Sequence, residues 1–128
     1  MDYDKNAEVI VSTPIKMERF LDLFVGACEG GSSYWADEID NNDKTLDPYE
    51  GMFKGFTVLD REGGSQCKKS GEWIPKKIVV TEKMVRDAMM SFAEKEPWHF
   101  SNLMREQDDS ETADVFLQLC VFGKSIYG

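Results

Sequence analysis

Two adjacent glycines, Gly30 and Gly31, stop an amphipathic helical pattern, and two large aromatics follow at once in Glu29-Gly30-Gly31-Ser32-Ser33-Tyr34-Trp35. Upstream, Met17, Phe20, Leu21, Phe24 and Cys28 recur at helical spacing, which marks one buried face. Thr13 and Pro14 supply an N-cap and a first helical residue. The pattern therefore predicts a helix over 14–29 that ends at the glycines. Glycine admits backbone that other residues resist. Tyr and Trp bury much area yet keep a polar tip that needs a partner. Such a segment either closes a helix onto a core or lines a small pocket.

The rest of the chain alternates strand and helix signals. Val9-Ile10-Val11 reads as a short strand. Residues 37–50 are polar and acidic and read as a surface loop. Residues 52–59 read as a strand, Gly63-Gly64 as a turn, and Trp73-Ile74 with 77–80 as the returning strand, where Pro75 limits pairing. Thr81 caps a second helix with Val85, Ala88, Met89 and Phe92 on its buried face, ending near Glu96-Pro97. Pro97 opens a short helix through Met104. Asp109-Ser110 caps a last helix lined by Ala113, Phe116, Leu117 and Cys120 and closed by Gly123, before a short tail. This order is that of one α+β domain over residues 1–128, a small, mostly antiparallel sheet packed by three to four helices. A strand–Thr–helix order occurs at 9–19 and again at 78–86; shared capping chemistry explains it as well as duplication does.

Composition narrows the function classes. At 128 residues the chain is long enough to bury a core without staples. It has no run of about 18 apolar residues, so no membrane span is expected. Its start, Met1-Asp2-Tyr3-Asp4, lacks an apolar signal core, and Cys28, Cys67 and Cys120 form an odd, widely spaced set. Both observations point to reduced thiols and a cytoplasmic home. A net charge of −9 argues against non-specific nucleic-acid binding and permits binding to basic protein surfaces. Between Arg61 and Lys77, five basic residues face two acidic ones, a local +3 that leaves −12 for the remainder. Lys68, Lys69, Lys76 and Lys77 in this island form either an anion site or a hairpin edge guarded against aggregation.

Little in the chain reads as catalysis. His99, the single histidine, sits between Trp98 and Phe100 and reads as a packed or surface imidazole. Cys28 and Cys120 fall on apolar helical faces, where thiols behave as small hydrophobes. Cys67 lies beside Lys68 and Lys69, which would make it the most reactive of the three. Asp40-Asn41-Asn42-Asp43 lacks the spacing of a calcium loop, and no zinc, phosphate-loop or nucleophile-elbow pattern occurs. Asp108, Asp109, Glu111 and Asp114 stand at the start of the last helix, where carboxylates suit its dipole. No catalytic residue, metal ligand or cofactor is assigned.

The stretch from Cys28 to Asp37 resembles a recurring N-terminal motif in a family of small proteins of tailed bacteriophages and prophages. The ending, from Thr112 to Gln118 and from Phe122 to Gly128, resembles that family's C-terminal motif. The resemblance spans about 13–37 and 78–128, and the residues between add nothing to it. It transfers no catalytic residue. It implies a phage accessory protein acting in the cytoplasm of an infected bacterium, of the kind that modulates host machinery or blocks defence; the expected function is non-enzymatic, countering host defence by binding.

Two mechanisms fit that expectation. In the first, a small nucleotide signal is sequestered: Tyr34 and Trp35 stack on its bases, while Gly30, Gly31, Lys68, Lys69, Lys76 and Lys77 hold phosphate. In the second, Asp37, Glu38, Asp40 and Asp43 cover a basic surface of a host protein. A small metal-dependent hydrolase and a virion assembly factor are the remaining classes, and the sequence leaves a homo-oligomer open.

Overall fold

The computed structural model describes residues 4–9 and 12–128. Three strands form one antiparallel sheet in the order β1-β2-β3: β1 (Ala36–Asn41), β2 (Gly55–Gln66) and β3 (Trp73–Thr81). Among the described residues four α-helices accompany it: α1 (Met17–Gly26), α2 (Glu82–Lys95), α3 (Pro97–Met104) and α4 (Ser110–Phe122). Both the α+β class and the antiparallel sheet agree with the sequence pattern.

Helix α4 is the axis of the fold. Every residue from Thr112 to Val121 is buried, as expected of a helix surrounded on all sides. Helices α1, α2 and α3 each pack against it. Phe116 is the aromatic hub, with ring centroids of Phe20, Phe24 and Phe92 at 5.3, 5.4 and 5.3 Å. The inner face of the sheet closes this core. Ile39 lies opposite Val58 and Val58 opposite Ile78; Asn41 lies opposite Phe56 and Phe56 opposite Val80.

Capping chemistry sets the helix boundaries where the sequence made it explicit. The Thr81 hydroxyl accepts from Met84 N at 3.2 Å and opens α2. Pro97 stands at the start of α3. Asp109 accepts from Thr112 N at 2.9 Å and opens α4, which ends at Gly123.

Several expectations are corrected. Helix α1 begins at Met17, with Lys16 rather than Thr13 at its N-cap. Ile15 packs against the core just ahead of it, so the chain enters the helix later than Thr13-Pro14 suggested. Without a Thr cap there, the echo between 9–19 and 78–86 disappears. The strand expected at Val9-Ile10-Val11 lies outside the described residues at Ile10 and Val11. The acidic segment is not wholly loop, because its first part is β1. Only Ala36, Ile39 and Asn41 turn inward there, too few apolar positions to display a strand in sequence. Residues 50–54 form a 3-10 turn, so β2 begins at Gly55 rather than at Met52. Gly63 and Gly64 lie within β2, in an irregular stretch where Asp60 pairs with Lys76 but Ser65 pairs with Ile74. The hairpin turns later, after Gln66.

Candidate functional site

The two sequence motifs meet at Asp114, which projects from α4 and is 5% exposed. After α1, the chain takes one π turn over Ala27–Gly31 with Gly30 at φ 149°. Gly31 then passes so close to α4 that a Cβ there would lie 2.6 Å from the Ser110 carbonyl oxygen. Only glycine fits this approach. It delivers Ser32, Tyr34 and Trp35 to one carboxylate. Asp114 Oδ1 accepts from Ser32 Oγ at 2.8 Å and from Trp35 Nε1 at 2.7 Å. Asp114 Oδ2 accepts from the Tyr34 hydroxyl at 2.6 Å and from Gln118 Nε2 at 3.0 Å. A carboxylate offers about four acceptor positions, and all are filled.

One helical turn further on, Gln118 fastens the C-terminal motif. Its Oε1 accepts from the backbone N–H of Ile126 and of Tyr127, both at 2.8 Å, and its Nε2 also reaches Tyr127 O at 3.2 Å. The Tyr127 hydroxyl donates to Asp60 Oδ2 on β2 at 2.9 Å. Burial and the bond to Asp60 push the Tyr127 phenol up to about 12. Burial, followed by the bond to Asp114, also drives the Tyr34 phenol upward. The motifs thus form a buried polar lock joining the π turn, α4, β2 and the tail. Its acceptors and donors satisfy one another within the fold.

This geometry corrects the nucleotide-binding assignment. Trp35 is 0% exposed and its ring packs on Phe122 and Tyr127 at 5.3 and 5.7 Å, so it has no face for a base. Tyr34 is half-exposed, but its hydroxyl is engaged. Gly31 and Tyr34 border a cavity of about 530 Å³ whose charged residues are Glu96, Glu111 and Asp114. These repel phosphate. Lys68, Lys69, Lys76 and Lys77 are exposed on the β2–β3 hairpin, and neither they nor Gly30 line that cavity. Of the basic island, Arg61 reaches the glycine–aromatic segment, donating to Ser33 O at 2.5 Å, while the four lysines do not share the cavity that Gly31 and Tyr34 border.

Three of the four acidic residues of the second mechanism converge. Asp37, Glu38 and Asp40 line a groove of about 510 Å³ that runs past β1. Its far side is formed by Cys28 on the π turn and by Leu46, Tyr49 and Met52. Asp37 lies 2.8 Å from Arg61 Nε, out of hydrogen-bond alignment, and Asp40 pairs with Lys44. Asp43 does not line the groove; it folds its own loop by accepting from Thr45 Oγ1 at 2.5 Å and Thr45 N at 3.0 Å, bonds that favour its charged form and hold its carboxyl below the usual carboxylate range.

Packing accounts for His99, Cys28 and Cys120, but not for Cys67. His99 is buried with Nδ1 2.9 Å from Thr112 Oγ1. Burial, then the charge of Glu29, pushes the Cys28 thiol up to about 11, and burial pushes Cys120 higher still. The Cys67 thiol is lowered by hydrogen bonds from the Ser70 hydroxyl and the backbone of Ser70 and Lys69, rather than by lysine charge. Among the described residues, no group of three or more His, Cys, Asp or Glu is placed to hold a metal ion. Among them, too, no helix is long and apolar enough to cross a membrane.

Sequence reasoning assigned Asp114 to the helix dipole and overlooked Gln118. The signal lay in an Asp and a Gln four residues apart within an otherwise apolar helix, matched by the polar tips of Ser32, Tyr34 and Trp35. The groove was missed because its strand was read as loop. No family model, curated protein or solved structure matches this chain.

Proposed function

We propose that the protein is a non-enzymatic binding protein that covers a basic surface of a protein partner with the acidic face of β1. The carrying observation is the alignment of Asp37, Glu38 and Asp40 along the groove of about 510 Å³. These three carboxylates outnumber the one lysine, Lys44, that lines the same groove, and such an acidic excess beside a concave surface attracts and orients cationic partners. The overall charge of −9 adds to that field. The resemblance of the end motifs to small phage and prophage proteins supports a setting in the cytoplasm of an infected bacterium, with a host-defence protein as the partner covered. Nucleotide sequestration draws less support, since its stacking tryptophan is buried and its lysines lie apart from Gly31 and Tyr34.

The test is capture of partners from bacterial lysate by the native protein and by the double variant Glu38→Lys, Asp40→Lys, at low and high salt. The expected result is a basic host protein retained at low salt and released by salt or by charge reversal. Equal capture by both proteins would remove the acidic face from the function. A nucleotide bound in native mass spectrometry would restore the first mechanism, and recovery of the protein from purified particles would favour a virion role.

A further inference from the structure

We infer that β1 receives a fourth strand from outside the chain: an extended, basic segment of about six residues that pairs with its free edge. The inference rests on the proposed function for the charge of the partner and adds how that partner is held. Among the described residues, β1 pairs only with β2, so one edge of it is unpaired. All six residues of β1 line the groove. Consecutive residues of a strand point to opposite faces, so a cavity that touches each of them in turn must run along the backbone edge. That edge carries the N–H and C=O groups a further strand needs.

The chemistry of the occupant follows from the two faces of β1. Glu38 and Asp40 point away from the core, so cationic side chains at alternate positions of the incoming strand meet them, the one opposite Asp40 displacing Lys44 from its exposed pair. Ile39 and Asn41 point inward, and on that side the groove presents Cys28, Tyr49 and Met52 to an apolar side chain. Asn41 is 9% exposed; its Nδ2 donates to Pro48 O at 3.1 Å, while its Oδ1 has no partner. A second copy of this chain is a poor occupant. Antiparallel pairing of two β1 edges would set carboxylates opposite carboxylates, and like charges directly opposite are destabilising.

The probe is a capped hexapeptide alternating arginine and valine, compared with its glutamate–valine counterpart and with a version N-methylated at every second residue. Binding is followed by amide NMR and by hydrogen exchange of β1 in the native protein. The expected result is at least tenfold slower exchange of β1 amides with the arginine peptide only, lost on N-methylation and in the double variant Glu38→Lys, Asp40→Lys. Equal binding of the N-methylated peptide would overturn strand addition while leaving the acidic face as the binding surface. Salt-sensitive capture of a host protein without any protection of β1 by the arginine peptide would likewise sink the strand and spare the proposed function. Protection by the glutamate peptide would overturn the charge assignment of both.

Discussion

Asp114 draws four donors from two elements onto one buried carboxylate, and no basic side chain pairs with it among the described residues. Its burial is tolerable because every lone pair is engaged, and hydrogen bonds to a charged group contribute about 1.5–3 kcal/mol each. Removing the acceptor leaves several buried donors unpaired at once. Asp114→Ala should therefore cost about 4 kcal/mol in urea denaturation, a large part of a typical stability of about 5–15 kcal/mol. Trp35→Phe keeps most of the ring and loses one donor, and should cost about 2 kcal/mol by the same measurement. A Trp35→Phe protein as stable as the native one would show that the indole N–H contributes nothing.

At the scale of elements, the legible parts of the fold were those that end in a recognisable cap. Thr81, Pro97, Asp109 and Gly123 each carry a local physical rule, and α2, α3 and α4 begin or end on them. Strand β1 obeys no such rule. Its existence depends on pairing with β2, a tertiary fact, and its acidic outer face imitates a loop. The tail was visible only as a tail, since its docking depends on Gln118 reaching backbone N–H groups eight and nine residues away. Gln118→Ala should free Ile126 and Tyr127 to exchange with solvent at least tenfold faster and lower stability by about 2 kcal/mol. By contrast, Glu38→Lys with Asp40→Lys alters exposed positions and should shift stability by no more than about 0.5 kcal/mol per site, so any loss of binding in that variant reports the surface alone.

For the molecule as a whole, the groups pushed upward set its response to base. The Cys28 thiol moves from 9.0 to about 11 and the Tyr127 phenol from 10.0 to about 12. Each holds its proton more tightly folded than unfolded. Their contribution is thus complete below the unfolded values and disappears as pH rises through the folded ones. The urea midpoint should stay level up to about pH 9 and fall between about pH 9 and pH 12. Tyr127→Phe should flatten the upper part of that window. A midpoint that declines below pH 8 instead would assign the base sensitivity to other groups.

The lock also constrains how the molecule is made. Ser32 and Tyr34 leave the ribosome some eighty residues before the carboxylate that receives them, and Tyr127 must follow before Asp60 is capped. Such long-range closure comes late. During translation the nascent chain therefore exposes the apolar face of α1 and a pairable β1 edge with no α4 to organise them. The same edge that admits a partner's strand in the completed protein is, for that interval, a segment for chaperones to guard.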